Sequence, residues 1–430
     1  MQPHREPRKP GWHNALDSFH PRRVGHRMST SFFASGSGRL RRLCSRLVAA
    51  ALAPLALTVV VAGAASPSQA QVPAPEIAAR SWLLMDMTTH TVLYSQLPDE
   101  RVEPASLTKL MTAYVVFNGL KEKRLDLAHR PPISTAAYKA IGSRMFLEPK
   151  SPATVEELLN GLIVPSGNDA AIVLAEMVGG TEAQFAEIMN AEAKRLGMNN
   201  TRFTNASGLP HPDHYTTARD LATLAVRLIE DHPQFYRMYS QKEYTYNKIR
   251  QPNRNRLLFT DPSVDGFKTG HTDAAGYCLI SSARRDQPGS GFSRRVLAVL
   301  MGASSESSRA IESQKLLNYG FQNFDAVQLY KKGDPVGTYQ VWKGQAPEVR
   351  AGFAEDVLVT VPKTQVSAVK GEIERMEPLV APIAAGDKLG TLRIRLGTNV
   401  LAERPVIALQ AVEPAGWFGR AWDTIRLWIK

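Results

Sequence analysis

Three short groups of residues in this 430-residue chain could do chemistry together. The first is Ser106-Leu107-Thr108-Lys109, the second Ser166-Gly167-Asn168 and the third Lys268-Thr269-Gly270. A serine hydroxyl is a weak nucleophile unless a base stands beside it. On a helix, residues three apart share a face, so Lys109 can bring its amine to the Ser106 hydroxyl. A lysine accepts that proton only when desolvation or a nearby cation lowers its pKa, and Lys268 is a candidate for the cation. Lys268 and Thr269 could also grip a free carboxylate, one by charge and one by hydroxyl. Gly270 would let a peptide backbone approach a strand edge closely. Each group also has a plain alternative. Ser106 could cap a helix with Lys109 in solvent, and Ser166 and Asn168 are both favoured caps. Lys268-Thr269-Gly270 taken alone reads as a turn.

The flanking pattern says what must position these groups. Residues 80–86 and 91–95 read as a strand hairpin joined by a polar link. Leu107, Leu110, Met111, Tyr114 and Val115 recur at three and four residues, which predicts a helix over 106–120. Helical spacing continues in 155–163, 170–178 and 221–229. Strand signals return at 276–282 and 295–302, and 307–320 reads as a closing helix. Strands at both ends with helices between them imply an α/β sheet assembled from distant segments. Cys278, in the apolar run Tyr277–Ile280, reads as a buried core residue. Farther on, Leu392, Ile394 and Leu396 alternate with Thr391, Arg393 and Arg395, as a half-buried strand requires. With a second strand at 356–361, this predicts a separate small all-β sandwich domain over 326–411.

The length suggests two or three domains. The net charge of +12 looks like a nucleic-acid signal, but residues 1–70 carry ten Lys or Arg against two Asp or Glu. The rest holds no basic block with interleaved aromatics, so nucleic-acid binding is not expected. Arg39, Arg41, Arg42 and Arg46 precede an uncharged run from Leu47 to Ala65, and Ser68-Gln69-Ala70 follows. That order predicts a signal peptide over 1–70, cut after Ala70, with Met28 an alternative start. Cys44 falls in this leader, so the mature chain keeps one thiol and no internal disulfide. His211 and His214 lack convergent Cys, Asp or Glu, so neither a metal site nor a cofactor is expected. At 415–430, Trp417, Phe418, Trp422, Ile425 and Trp428 fall on one arc of a helical wheel with Arg420, Asp423 and Arg426 opposite. This predicts an amphipathic helix lying in a membrane interface, with docking on the protein's own core as the alternative.

The three groups, in this order, resemble the serine penicillin-recognising enzymes, which include β-lactamases and penicillin-binding proteins. Residues 76–430 are similar to the low-molecular-mass D-alanyl-D-alanine carboxypeptidases of the penicillin-binding protein 5 and 6 type. The runs that carry this are Glu103–Lys109, Ser143–Leu147, Pro165–Ala170, Thr217–Asp220, Asn247–Leu257 and Val264–Gly270. The resemblance implies a β-lactamase/transpeptidase-like catalytic domain over 76–325. It implies that Ser106 is acylated, that Lys109 takes its proton and that Ser166 is the third active residue, passing a proton to the leaving amine. It implies that Asn168 holds a substrate amide and that Lys268, Thr269 and Gly270 bind substrate. Arg254 is a further carboxylate contact, and the oxyanion hole uses the backbone N–H of Ser106 and His271. The implied partners are the peptidoglycan stem peptide, β-lactam antibiotics and, through 415–430, the periplasmic side of the inner membrane. A class A β-lactamase would carry Asp where this chain has Gly167. A peptidoglycan endopeptidase of related fold would usually lack the region after 325, and nothing favours a non-catalytic wall-binding scaffold.

Overall fold

The computed structural model describes residues 72–429 of the chain. The leader expected at 1–70, with Cys44 and Met28, lies outside the described residues. The elements that matter here are β1 (Ser81–Asp86), β2 (Thr91–Gln96), α1 (Lys109–Lys121), α2 (Val155–Ile163), α3 (Asn168–Gly179), α4 (Glu182–Arg195) and α5 (Ala218–Asp231). They continue with β3 (Val264–Thr272), β4 (Gly276–Asp286), β5 (Ser293–Ala303) and α6 (Glu306–Asn323). The five strands form one antiparallel sheet in the order β2-β1-β5-β4-β3, so the N-terminal hairpin closes on strands some two hundred residues later.

Both faces of this sheet are covered. Along β5, Leu297, Val299 and Met301 join the core with the helices, while Val296, Ala298 and Leu300 join a second core under α6. Successive side chains of a strand point to opposite faces, so a strand between two cores reads as continuously apolar. Cys278 sits on the helix side as a buried free thiol, as its apolar run suggested, and burial pushes its pKa up to about 11. Helix α1 is buried all round rather than along one stripe, which makes it the central helix of the domain.

Sequence reasoning misjudged several elements. The expected helix at 106 begins as a 3-10 turn over Ala105–Thr108, with Ala105 at φ +47°. Lys268-Thr269-Gly270 is not a turn ahead of a strand but the middle of β3, paired residue for residue with Ile280, Leu279 and Cys278. Its two glycines and its charge suppress the strand signal, and tertiary pairing overrides that weak local preference.

Helix α6 ends at Asn323 and the next residue opens the first strand of the C-terminal part. That part contains β6 (Phe324–Tyr330), β7 (Gly337–Trp342), β8 (Glu348–Gly352), β9 (Val357–Pro362), β10 (Val369–Arg375), β11 (Leu379–Val380), β12 (Lys388–Leu396) and β13 (Asn399–Ala408). A six-stranded sheet, β10-β12-β13-β8-β7-β11, and the β9-β6 pair enclose one apolar core. Leu392, Ile394 and Leu396 point into it, as their alternation predicted. Where β6 and β9 meet the catalytic sheet, Arg294 Nη2 and Asp86 Oδ2 form a buried ion pair at 2.7 Å. Thr360 of β9 donates to the same carboxylate at 3.0 Å, and Arg294 also donates to the Phe324 carbonyl.

The last element is α7 (Trp417–Ile429). Pro414 and Gly416 suggest separation from the β part, yet the helix is tied to it. The Lys343 amide donates to Asp423 Oδ2 at 2.7 Å, and Arg426 lies over the Trp342 ring at 5.8 Å. The polar arc therefore faces the protein, and Trp417 and Trp422 stay 68% and 63% exposed. Among the described residues, no helix is long and apolar enough to cross a membrane.

Candidate active site

The site forms where the Ala105–Thr108 turn, the start of α3 and the edge strand β3 converge on a cleft of about 390 Å³. Ser106, Ser143, Ser166, Arg254, Thr269, Gly270, His271, Tyr277, Glu306 and Arg309 line it. The turn lies against β3 because Gly270 has no side chain. A Cβ there would meet the Pro104 carbonyl at 3.1 Å and the Ala105 Cβ at 3.3 Å. Gly270 thus admits the nucleophile-bearing turn, where the sequence suggested that it admits substrate.

Lys109 is the hub. Its Nζ donates to Ser106 Oγ at 3.0 Å, to Asn168 Oδ1 at 2.7 Å and to the Ser207 carbonyl at 2.6 Å. The latter two oxygens only accept, so a neutral amine spends both protons on them and turns its lone pair to the Ser106 hydroxyl. Burial holds the Lys109 pKa down at about 7, helped by the Arg254 charge and opposed by Asp169 and Glu182. The sequence offered Lys268 as the depressing cation; burial and Arg254 do that work. Lys268 is itself held well below the usual lysine range, by burial first and then by Lys109, Arg254 and Arg309. Its Nζ donates to the Thr269 carbonyl at 3.1 Å.

Ser166 adopts φ +66°, a left-handed conformation that strains a residue with a side chain. Its Oγ is buried and has no partner among the described residues. It caps nothing, since the N-cap of α3 is Gly167 without a side-chain bond. A Cβ on Gly167 would lie 2.7 Å from Asp169 Oδ1 and 3.0 Å from the Gly161 carbonyl, so an aspartate does not fit there. Asn168 is committed at both ends, accepting from Lys109 and donating to the Ile141 carbonyl at 2.7 Å. Asn168 thus also holds the lysine. Arg254 is carried between two bonded asparagines. Asn253 donates to the Gln241 carbonyl at 2.9 Å, and Asn255 to the Gly266 carbonyl at 3.1 Å. The His271 ring leans on Tyr277 with centroids 4.0 Å apart, leaving its backbone on the cleft.

These distances put a hydroxyl, a depressed lysine and an unpartnered second hydroxyl beside a cleft that Arg254 and Arg309 line. The comparisons with known proteins agree with that chemistry. A family model described as D-alanyl-D-alanine carboxypeptidase matches residues 68–305. The chain belongs to the D-alanyl-D-alanine carboxypeptidase family. A second model, the penicillin-binding protein 5 C-terminal domain, matches residues 324–414. D-alanyl-D-alanine carboxypeptidase DacC of Escherichia coli is 40% identical over 392 residues, covering 89% of this chain and 96% of the relative. The crystal structure of penicillin binding protein 5 from Haemophilus influenzae aligns at TM-score 0.74 with 37% identity, covering 80% of this chain and all of that one. Penicillin-Binding Protein D2 from Listeria monocytogenes, solved in an ampicillin-bound form, aligns at TM-score 0.52 with 30% identity over 58% of this chain and all of its own.

Several residues of this carboxypeptidase-family site escaped the sequence reading. Arg309, in the first turns of α6, is buried beside the cleft and ion-pairs with Glu306 at 3.5 Å. The loop Asn205–Gly208 supplies the carbonyl that holds Lys109. Asn205 Oδ1 accepts from the amides of Ser207 and Gly208 at 3.2 and 2.7 Å. Asp169 accepts from the amides of Met145, Phe146 and Leu147 and so pins the 143–147 wall. The Asn-x-Ser-Gly composition of 205–208 was a readable turn signal; nothing local marked Arg309. The His214 ring bonds Thr108 and Thr204. A larger hollow of about 1030 Å³, lined by Pro252, Phe259 and Ile311, lies across the Arg254 and Glu306 wall.

Proposed function

We propose that this chain removes the terminal D-alanine from peptidoglycan stem pentapeptides through an acyl-enzyme on Ser106, and that β-lactams acylate the same oxygen. The observation that carries this is the seat of Lys109, whose Nζ lies 3.0 Å from Ser106 Oγ while its two other neighbours, Asn168 Oδ1 and the Ser207 carbonyl, can only accept. Lys109 takes the hydroxyl proton as Ser106 attacks the carbonyl carbon of the penultimate D-alanine. The backbone N–H groups of Ser106 and His271 receive the oxyanion. Ser166, unpartnered and buried, passes the proton from Lys109 to the amine of the departing D-alanine. Water then hydrolyses the ester with Lys109 again as base. Lys268, Thr269, Arg254 and Arg309 hold the free carboxylate.

Export with removal of 1–70, and a periplasmic site on the inner membrane, complete the reading. Trp422, 63% exposed while Asp423 accepts from the Lys343 amide, supports a helix that lies on a lipid surface. Mass spectrometry of the purified protein after a β-lactam tests the chemistry. We expect an adduct on Ser106, absent from Ser106→Ala, which also loses D-alanine release. D-alanine release at the wild-type rate by Ser106→Ala would reject the assignment. Membrane fractionation of a form lacking 415–430 tests the anchor: it should be soluble and active on soluble peptide, and continued sedimentation with membranes rejects the anchor.

A further inference from the structure

We infer that His214 is a positioning residue that locks the Ser106 turn to the loop holding Lys109, acting as a neutral ring with its proton on Nε2. The inference rests on the proposed roles of Ser106 and Lys109. The ring is buried, at 2% exposure. The Thr204 amide donates to His214 Nδ1 at 3.1 Å. A backbone N–H can only donate, so Nδ1 must be bare. A neutral ring then carries its proton on Nε2, which lies 2.8 Å from Thr108 Oγ1 and donates to it.

The two segments joined in this way are the ones that matter. Thr108 sits between Ser106 and Lys109 on the turn. Thr204 leads directly into Asn205–Gly208, whose Ser207 carbonyl accepts from Lys109 at 2.6 Å. The same segments touch at Gly208, where a Cβ would fall 2.8 Å from Thr108 Oγ1. The imidazole therefore fixes how deeply Lys109 is seated, and depth of burial is the main cause of that amine's low pKa.

A charged ring cannot serve, because a proton on Nδ1 would point at the Thr204 N–H. The groups facing the ring keep it neutral. Lys109 on α1 and His211 in the adjoining loop oppose a second positive charge, and the Phe203 ring packs at 5.7 Å. Glu182 of α4 is engaged with the Ala206 amide at 3.0 Å. Burial, His211 and Lys109 together hold the His214 pKa down at about 4. The ring thus stays neutral throughout the range in which Lys109 titrates, and any movement of the acidic limb reports on Lys109.

The test is the rate of β-lactam acylation of the full chain across pH, with the Ser106 adduct read by mass spectrometry. His214→Asn can still accept from Thr204 but is too short to reach Thr108. We expect its acidic limb to move up by about one pH unit as water reaches Lys109, with about a fivefold slower reaction at neutral pH and about tenfold on the acid side. His214→Gln, which can extend an N–H to Thr108, should lie nearer wild type. Thr108→Val deletes only the acceptor and should move the limb the same way, whereas Thr108→Ser should leave it in place. The Thr108 pair decides the matter if His214→Asn does not fold. An acidic limb unmoved in Thr108→Val, whatever the change in rate, overturns the inference. A wild-type protein that is never acylated sinks the proposed function instead, a distinct result.

Discussion

Two sets of buried cations lie on opposite sides of the catalytic domain, and they are treated in opposite ways. At the junction with the β part, Arg294 meets Asp86 at 2.7 Å, with Asp325 3.8 Å away and Thr360 on the same Asp86 oxygen. In the cleft, the buried Lys109, Lys268 and Arg309 converge beneath the more exposed Arg254, and Glu306 is the acid among the lining residues. A buried charge is costly unless it is paired and hydrogen-bonded. The junction meets that requirement; in the cleft Arg309 has Glu306 at 3.5 Å, while Lys109 and Lys268 have no carboxylate partner among the described residues. The teaching is that the cleft is built for an anion it does not itself supply, while the junction is complete. One set should therefore answer to activity assays and the other to unfolding.

Mutations can break that contrast. The largest effect should come from Lys109→Met, which removes the base and cuts acylation about a thousandfold. Melting should hold steady or rise, because an unpaired buried cation gives way to an apolar chain of similar length; a fall of many degrees would show that the cleft charge is structural after all. Asp86→Ala should do the reverse. It strands Arg294 without its main partner and should cost about 3–5 kcal/mol of stability, read by denaturant unfolding. Turnover per folded molecule should be unchanged. Lys268→Ala should lose about 2–3 kcal/mol in kcat/KM on a peptide with a free carboxylate and far less on its amidated analogue. Equal losses on both would assign Lys268 to tuning Lys109 instead.

The pH dependence sharpens the same comparison. Activity needs neutral Lys109, whose pKa is about 7, so kcat/KM should climb through neutrality along a one-proton limb. Stability has its own sign. The folded-state pKa lies below the unfolded value, so the unfolded chain binds the extra proton between them. The burial penalty of Lys109 is therefore full below about 7 and is relieved as pH rises toward the ordinary lysine value of 10.5. Lys109→Met should flatten that part of the stability curve. The smallest effect should belong to a surface pair such as Arg393 with Glu403, at 2.9 Å. Arg393→Ala should leave the denaturant midpoint nearly where it is in the wild type.

The parts of the site legible in the sequence were those written locally. Ser106 and Lys109 lie three apart, and the turn that joins them follows from that spacing. The apolar alternation of Thr391–Leu396 placed that strand correctly for the same reason. What escaped was carried by distance in sequence. Arg309 reaches the cleft only because α6 packs behind β4 and β5, and Ser207 only because Gly208 nests under Ala105. The β3 pairing was hidden because glycine and lysine are poor strand formers, and the sheet imposes what their propensity does not. The packing of Gly270 on the Ser106 turn and the bond from Lys109 to Asn168 went unread because the sequence names an atom's chemistry but not its neighbour.

One of those neighbours sets a limit on how the enzyme can vary. A Cβ at Gly208 would stand 1.8 Å from the Ala105 carbonyl oxygen, on a backbone already at φ +83°. That is backbone against backbone beside the reactive serine, so no rotamer of any replacement can step aside. Size, charge and polarity are all irrelevant at this position, because the first carbon of every side chain collides. In a saturation library selected for survival of the acylation step, position 208 should return glycine alone. Exposed positions on the β part such as Val400 should accept nearly anything. A residue with no side chain, and no part in the reaction, would be the least evolvable point in the molecule.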